Sequence, residues 1–513
     1  MYRSHISGCV RTGQIFVALV SLVSAAWALP PQTDKRAGDV EELPPVSLFH
    51  SSGMTSLREM SYTPSSAALR ERSVEIDFSA LDPLRSAIDV DVFSGKTWRI
   101  QRSDYEVRGA SDYTWRGTIK LADLREGEAT LSVRGGLLAG IIHTPDGEIY
   151  EIRPVAAGQY LMSEINQDRF RECADPVSAP QQRAVAAAEP TTAYSDSADF
   201  IDMLILYTDD ARAAAGGTAA IEATVQSAID LTNTAYANSQ ITTRLRLAHT
   251  EEIAYTEAGD ANADLNWLTN DPTVAALRNQ YGADVVSMIV NTSGYCGIGW
   301  LMTQVESNFG SYAFNVVLRD CAASNLTLAH ETGHNQGCNH DPANSGSGTS
   351  YAYSYGHFVD GSYRTIMSYT TQCTLGCPKS PHFSNPAVSY FGTPTGIAGQ
   401  RDNHQTINNT ALTVANFRSA VQLLGAPTNL HTNKRARRAV NVGWSDGASG
   451  EIGFHVYRWT GTDWTLHQSF PANTTSGKIT GLSPGKRYSF ALTSYSDSAE
   501  SATSNQLNVK TLK

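Results

Sequence analysis

The sequence predicts a multidomain protein with a β-rich N-terminal part, a central α/β domain and a C-terminal β-sandwich. Its 513 residues exceed the roughly 100–200 residues of one ordinary domain. Hydrophobic residues make up 41% of the chain and charged residues 17%, so there are enough apolar side chains for several cores. The pattern of apolar residues also changes character twice, near residue 199 and near residue 426.

The first 28 residues have the organisation of a secretory signal peptide. Arg3 and Arg11 precede an apolar run at 15–28, and Ala-Trp-Ala at 26–28 fits the small-x-small pattern of a cleavage site. This run is shorter than the ~20 residues of a comfortable transmembrane helix, although an uncleaved anchor stays open as the alternative. We therefore expect a secreted, extracellular protein without a membrane anchor, in a compartment where disulfides persist.

The charge balance argues against one class of partner. The chain has 39 Lys and Arg against 50 Asp and Glu, a net charge of −11. Proteins that bind nucleic acids usually carry a basic balance, so we expect no nucleic-acid partner.

The N-terminal part has a strand-like pattern from about residue 74 to 162. A Thr-Pro-Asp-Gly stretch at 144–147 is a strong hairpin signal between two apolar runs. Residues from about 29 to 60 are rich in Pro and Ser without periodicity, and we expect a loose leader there. The stretch 175–197, rich in Ala, Pro, Gln and Ser, is predicted to be a linker.

The central region, 199–422, alternates predicted strands and helices. Residues 200–207 and 283–290 have the length and composition of buried strands. Apolar residues at helical spacing predict a helix over 218–237. Strands that alternate with helices favour an α/β layer fold.

The C-terminal region, 426–513, contains short alternating strands separated by turns every ~8–12 residues, which is typical of a β-sandwich. The segment 482–488 resembles the tyrosine corner of fibronectin type III modules, with Tyr488 as the corner residue. A fibronectin type III-like domain could contact an extracellular protein or a polysaccharide.

The segment His-Glu-Thr-Gly-His-Asn-Gln-Gly-Cys-Asn-His at 330–340 has the spacing of a metal site. His330 and His334 share one face of a helix because residues four apart lie one turn apart. On a continuous helix His340 would lie ~15 Å further along the axis, so the helix must end before it. Gly337 stands where this end is needed, because glycine tolerates the left-handed backbone that terminates helices.

Three neutral imidazoles would hold one catalytic zinc ion and leave a fourth position for a water whose pKa falls toward ~7. Glu331, next to the first ligand, is placed to take the water's proton as general base and to pass it to the leaving amine. The predicted activity is hydrolysis of peptide bonds in protein or peptide substrates by this zinc-activated water. A structural zinc site, which usually has four protein ligands, is the weaker interpretation.

The motif resembles that of the metzincin metalloproteases, in which HExxHxxGxxH is followed by a Met-turn. Met367 matches the methionine that packs beneath the metal ligands in that family. Tyr369 matches a position at which some metzincins carry a tyrosine near the metal, so it is a candidate catalytic residue. Asp341 resembles the structural aspartate of the adamalysin or reprolysin-like branch, and the overall pattern is similar to secreted microbial peptidyl-Asp metallopeptidases. That subgroup cleaves on the N-terminal side of acidic residues, but the sequence shows no residues that would form an acid-binding pocket.

The resemblance implies a particular division of the chain. The signal peptide at 1–28 precedes a propeptide at 29–190. The metzincin catalytic domain, with a mixed sheet, an active-site helix and a Met-turn, occupies 199–422, and the fibronectin-like domain follows at 426–513. The propeptide would keep the enzyme as a latent zymogen until it is cut away in the 175–197 linker.

The chain has seven cysteines, and six remain after the signal peptide, which contains Cys9, is removed. In many metzincins a propeptide cysteine supplies a thiolate as the fourth zinc ligand of the latent form. Cys173 has that position along the chain, although it lacks the local motif of the matrix or adamalysin type. The alternative is a disulfide between Cys173 and a cysteine of the catalytic domain.

Two disulfides are expected within the central region, Cys296–Cys321 and Cys373–Cys377. The second pair would close a small loop after the Met-turn. Cys338 then has no clear partner, and a free buried thiol is expected there.

Other functions remain open at this point. A catalytically inactive metzincin-fold adhesin or matrix-binding protein would be expected to have lost a metal ligand or Glu331, and all four residues are present. An exopeptidase is a further alternative. Asp209 and Asp210 could contribute to a Ca²⁺ site, but no ligand-loop spacing supports one.

Overall fold

The computed structural model describes residues 43–50, 63–109, 111–122, 125–156, 158–179, 196–346, 348–420, 424–448, 451–495 and 500–513. The predicted signal peptide lies outside these residues, as do positions 180–195 of the predicted linker. Among the helices of this described part, none is both long and apolar enough to cross a membrane.

The N-terminal domain is an antiparallel sheet of eight strands. These are β1 (Ala68–Val74), β2 (Ala87–Asp91), β3 (Thr97–Gly109), β4 (Asp112–Lys120), β5 (Glu126–Arg134), β6 (Leu137–His143), β7 (Ile149–Ala156) and β8 (Gln159–Ile165). Their order in the sheet is β1-β8-β7-β6-β5-β4-β3-β2. The predicted hairpin at 144–147 joins β6 to β7, and Gly147 has the left-handed backbone (φ +84°) that this turn needs.

The expectation of a loose leader is wrong for residues 43–50. Three of them form isolated β-bridges with the N-terminal domain. Leu48 is fully buried and Phe49 is 8% exposed, so both belong to the apolar core of this domain. The hydrophobic burial of these two side chains stabilises the segment on the domain. The high content of Pro and Ser gave no indication of this contact.

The central domain has a six-stranded mixed sheet with helices, as predicted. Its strands are β9 (Val177–Ser178), β10 (Phe200–Tyr207), β11 (Arg244–Glu252), β12 (Val285–Val290), β13 (Gly297–Leu301) and β14 (Phe314–Leu318). Its helices are α1 (Asp209–Ala215), α2 (Thr218–Asn238), α3 (Ala261–Asn270), α4 (Pro272–Gln280), α5 (Thr327–Asn335) and α6 (Asn403–Val414). Two small hairpins are formed by β15 (Phe358–Val359) with β16 (Tyr363–Arg364) and by β17 (Ser389–Tyr390) with β18 (Thr393–Pro394).

One edge of this sheet, formed by β13 and β9, differs from the rest in strand direction. The order is β11-β10-β12-β14-β13-β9. Strands β10, β11, β12 and β14 are parallel, whereas β13 is antiparallel to β14. Beyond β13, the short strand β9 pairs in parallel with it, Val177 opposite Trp300. The segment that leaves the N-terminal domain thus covers the edge of the central sheet.

The N-terminal sheet packs on helix α2 through a buried polar network. Asp230 of α2 is 1% exposed, and its carboxylate accepts hydrogen bonds from Thr114, Ser132 (2.6 Å) and Arg108 (3.3 Å). A buried carboxylate is stable only when it is paired and hydrogen-bonded. This network therefore holds the sheet in one position on the helix.

The C-terminal domain is a sandwich of two sheets. Its strands are β19 (Thr428–Arg435), β20 (Val440–Ser445), β21 (Gly453–Trp459), β22 (Trp464–Pro471), β23 (Ser476–Ile479), β24 (Arg487–Tyr495) and β25 (Leu507–Lys510). One sheet has the order β19-β20-β23 and the other β22-β21-β24-β25. The predicted tyrosine corner is confirmed, because the backbone N–H of Ser483 donates to the Tyr488 hydroxyl at 2.7 Å.

An aromatic cluster joins the C-terminal domain to the N-terminal domain. The ring of Trp459 meets that of Tyr113 edge-on, with centroids 5.2 Å apart. Trp464 is fully buried, and its indole N–H donates to the Tyr105 hydroxyl at 3.4 Å. These C-terminal tryptophans belong to the same apolar core as the N-terminal sheet, so the two domains stabilise each other.

We expect Trp464→Ala to lower the stability of both domains. A buried tryptophan cut back to alanine typically costs about 3–5 kcal/mol, and here the lost contacts belong to both domains. The measurement is scanning calorimetry of the full chain. Trp444→Ala is the matched control, because Trp444 packs on Phe454 and Phe470 inside the C-terminal domain. If Trp464→Ala leaves the unfolding of the N-terminal domain unchanged, the cluster does not couple the two domains.

Candidate metal centre

Helix α5 presents the first two predicted ligands, and the chain then turns back as expected. His330 and His334 lie one turn apart on the helix, which ends at Asn335. Gly337 has φ +89°, the left-handed conformation predicted for the helix end. This turn brings His340 back to the other two imidazoles.

The three histidine rings converge through their Nε2 atoms. The distances between these atoms are 3.2 Å for His330 and His334, 3.1 Å for His330 and His340, and 3.1 Å for His334 and His340. Their Nδ1 atoms, in the order of the chain, face the carbonyl oxygens of Ile366 (2.8 Å), Cys338 (2.8 Å) and Asn344 (3.3 Å). Because a carbonyl only accepts, each Nδ1 carries the proton and each Nε2 keeps its lone pair.

This arrangement fits a zinc ion. Metal–nitrogen distances of ~2.0–2.1 Å in a tetrahedral site place the nitrogens roughly 3.3–3.4 Å apart, close to the observed spacing. Burial lowers the pKa of all three imidazoles, that of His340 to about 4, so the rings stay neutral and available as ligands. The three Nε2 lone pairs point toward one another in a buried position, and a cation bound between them would offset their mutual repulsion.

Two further residues, Met367 and Asp341, pack against the segments that carry the three histidines. Met367 is fully buried, and its sulfur lies 2.9 Å from the point that a Cβ on Gly333 would occupy. The methionine therefore packs on the helix between its two ligands. Asp341 accepts hydrogen bonds from the backbone N–H of Tyr369 (3.2 Å) and from the Asn344 side chain (2.8 and 2.9 Å). These bonds tie the third ligand's segment to the Met-turn.

We expect Gly337→Ala to weaken metal binding as well as stability. A Cβ at this position would lie 2.2 Å from Ser350 Oγ, and the backbone would keep a strained left-handed φ. Such strain destabilises by about 1–3 kcal/mol and should displace His340. Melting temperature and zinc affinity, measured by competition with a chelator, test this. Gly392→Ala is the control, because its φ is +79° but a Cβ there meets open space. Equal zinc affinities in the two variants would contradict the prediction.

Glu331 lies beside the first ligand in a fully buried position. Neither carboxylate oxygen makes a hydrogen bond of normal geometry to a described residue. Burial raises the pKa of this carboxyl group to about 8. Strand β13 leaves room for the side chain, since a Cβ on Gly297 would lie 2.5 Å from Oε1. A carboxylate held in this way can exchange a proton near neutral pH.

The segment before β9 places Cys173 in the same cleft. The thiol is free and buried, so the alternative of a disulfide with the central domain is wrong. Its sulfur, a nitrogen of His330 and a carboxylate oxygen of Glu331 all lie within 4.8 Å of one another. Burial raises the pKa of this thiol well above its usual range.

Backbone and side-chain contacts hold this segment in place. The Tyr369 hydroxyl donates to the Cys173 carbonyl at 2.8 Å, and the Ala174 N–H donates to the Gly297 carbonyl at 2.8 Å. The Glu172 carboxylate accepts from the backbone N–H (3.1 Å) and the hydroxyl (2.6 Å) of Thr370. The segment is thus held beside His330 and Glu331.

The other cysteines match the expected pairing. The disulfides Cys296–Cys321 and Cys373–Cys377 are both present. Cys338 is free and buried, as expected. Asp209 and Asp210 belong to no group of metal-binding side chains among the described residues, and Asp209 instead pairs with Arg212.

Comparison with known proteins agrees with this geometry. Residues 198–384 match the model of metallo-peptidase family M12 and residues 425–510 that of the fibronectin type III domain. A peptidyl-Asp metalloendopeptidase of Xanthomonas campestris is 31% identical over 71% of this chain and 89% of its own length. One from Stenotrophomonas maltophilia is 30% identical over 78% of this chain and 96% of its own length. The chain belongs to the M12 family of metallopeptidases. It is a zinc metalloendopeptidase of the reprolysin-like type with a C-terminal fibronectin type III domain.

Two buried basic residues near the site of this M12 peptidase were missed by the sequence reasoning. Arg364 and Lys379 are 3% and 4% exposed. Arg364 stands three residues before Met367, but no motif marks either residue as functional. The only available signal was a basic residue close to the Met-turn, which by itself is more often a surface side chain.

Proposed function

We propose that this protein is a secreted zinc-dependent endopeptidase, made as a latent precursor, in which His330, His334 and His340 hold the zinc ion. The observation that carries the proposal is the convergence of three neutral Nε2 atoms within 3.2 Å beside the buried carboxylate of Glu331. The apolar run and cleavage pattern at 1–28 support secretion.

Bound zinc supplies Lewis acidity, which lowers the pKa of a water and polarises the scissile carbonyl. Glu331 takes the proton of that water and delivers it to the leaving amine, without a covalent intermediate between enzyme and substrate. Burial beside the three histidines keeps the Glu331 carboxyl group close to the place where that water would be held. Tyr369, whose ring centroid lies 4.1 Å from that of His340, is placed to donate its hydroxyl to the substrate carbonyl.

Latency follows from the segment 172–178. Its strand β9 pairs with the free edge of β13, and a substrate peptide would need the same edge for its backbone hydrogen bonds. Its thiol, Cys173, is the fourth zinc ligand of the latent form in this proposal. Residues 29–190 act as the propeptide, 199–422 as the catalytic domain and 426–513 as the accessory domain. Cleavage within the 175–197 linker allows the inhibitory segment to leave the cleft.

The substrate class is inferred from the relatives. Both are named peptidyl-Asp metalloendopeptidases, and they match most of this chain. We infer that this enzyme hydrolyses proteins at the peptide bond on the N-terminal side of aspartate. The fibronectin type III domain would contact an extracellular protein or a polysaccharide.

The test is mass spectrometry of the purified secreted protein and of a peptide library treated with it. We expect one zinc per chain, a mature N-terminus within 175–197 and internal cleavage that yields new N-termini beginning with aspartate. A chelator should abolish cleavage and added zinc should restore it. Proteolysis by zinc-free protein, or removal of single terminal residues only, would contradict the proposal.

A further inference from the structure

Two cationic side chains are buried side by side next to the metal centre. Arg364 and Lys379 form a backbone β-bridge, so their side chains leave neighbouring positions. The Lys379 ammonium donates to the carbonyl of Asn325 at 3.0 Å, just before helix α5 begins. The Arg364 guanidinium makes a long contact, 3.4 Å, with the carbonyl of Cys377.

Neither cation is in direct contact with a carboxylate of the described residues. Among the described residues, no carboxylate lies within ion-pair distance of Arg364 or Lys379, and the buried Nε of Arg364 has no hydrogen-bond partner. Burial and the adjacent guanidinium lower the pKa of Lys379 to about 8. Burying unpaired charges destabilises a fold, and strongly perturbed charged groups of this kind cluster at functional sites.

A cavity opens beside Arg364, the first of these two cations. It has a volume of about 310 Å³ and is lined by Arg364, Asn325 and Thr370 on the side of the catalytic domain. The opposite wall is formed by 167–172 of the N-terminal region, which contributes the carboxylates of Asp168 and Glu172. Both carboxylates favour the charged form of the Arg364 guanidinium.

The cavity also lies beside the cleft, because its lining residues Glu172 and Thr370 are the chain neighbours of Cys173 and Tyr369. Glu331 and Cys173 are both close enough to Lys379 to stabilise its charge. Lys379 is therefore near Glu331, and both cations are near Cys173. An arginine offers two parallel N–H donors to a carboxylate, and a lysine adds a compact positive charge.

We propose that Arg364 and Lys379 form the subsite for the acidic side chain that follows the scissile bond. In the precursor, residues 167–172 close this subsite and bring their own carboxylates to it. This inference rests on the proposed substrate class. It adds the two residues that would bind the acidic side chain, and neither residue was predicted from the sequence.

The test compares peptides that differ only in Asp or Asn after the scissile bond. Arg364→Met and Lys379→Met are each expected to lower the ratio of kcat/KM for Asp over Asn by about 10–100-fold, the value of a hydrogen bond to a charged group. Lys478→Met, on an exposed position of the C-terminal domain, should leave the ratio unchanged. The ratio is measured within one enzyme preparation, so a partial loss of folded protein does not affect it.

If a methionine variant fails to fold, charge-conserving variants test the same assignment of Arg364 and Lys379 to the subsite. Arg364→Lys and Lys379→Arg keep the charge but change its reach, so the preference for Asp over Glu should change about tenfold in at least one of them. An unchanged Asp-to-Glu ratio in both overturns the assignment. A wild-type enzyme that does not distinguish Asp from Asn refutes the proposed substrate class itself. A wild-type preference that survives in both methionine variants refutes only the role of these two residues.

Discussion

Replacement of Glu331 with glutamine is expected to lower kcat by roughly 10²–10⁴-fold, the usual contribution of a general base. Glutamine has nearly the same shape but cannot accept the proton of the attacking water. The three histidine ligands stay in place, so the zinc content should remain that of the wild type. Hydrolysis of a fluorogenic peptide and metal analysis of the same sample measure the two quantities.

Glu306→Gln is the matched control for this variant. It removes the same charge from an exposed position of the same domain, and should leave kcat unchanged. If the Glu331 variant binds zinc and still cleaves peptides at the wild-type rate, another group is the base. If it loses zinc as well as activity, the carboxylate contributes to the metal site, and the separation of roles proposed above is wrong.

Replacement of Cys173 with serine is expected to raise the activity of the uncleaved precursor by about tenfold or more, equivalent to about 1.4 kcal/mol of lost binding by the inhibitory segment. A serine hydroxyl is a much poorer zinc ligand than a thiolate. The backbone contacts of Tyr369 and Ala174 remain, so the variant should stay less active than the processed enzyme. Initial rates on a small peptide, before any processing, give the comparison.

Cys338→Ala is the control, since it removes the other free buried thiol, whose sulfur lies 3.7 Å from the Asn403 carbonyl and belongs to neither group of metal-binding side chains in the described residues. A second measurement concerns the metal itself. The cobalt-substituted precursor should show sulfur-to-cobalt charge-transfer absorption in the wild type and in Cys338→Ala, but not in Cys173→Ser. If Cys173→Ser is as inert as the wild type, the thiol is not the latch, and the pairing of β9 with β13 alone accounts for latency.

The parts of the site that could be predicted from the sequence depend on local geometry. His330 and His334 share a helix face because of the helix repeat, and the return of His340 requires a helix end that only Gly337 supplies comfortably. Tyr488 could be assigned because its turn contains both bonded partners. In each case the interacting residues are separated by at most about ten positions in the sequence, so local geometry alone can bring them together.

The sequence was less informative where partners are far apart along the chain. Leu48 reads as part of a loose leader but is fully buried, because its core comes from strands much further along. The carboxylate of Asp230 is likewise stabilised by Thr114 and Ser132 of another domain. No periodicity within either segment could indicate such a partner.

The sequence by itself determined the chemistry of this protein: three histidines, a glutamate and a helix-ending glycine whose spacing suits one zinc ion. Only the tertiary structure decided what surrounds that chemistry. It placed Cys173 beside His330 and Glu331, Arg364 next to Lys379, and Trp464 against the N-terminal sheet. The physical reason is that burial and charge pairing depend on which distant segments pack together, and that selection is made by the whole fold.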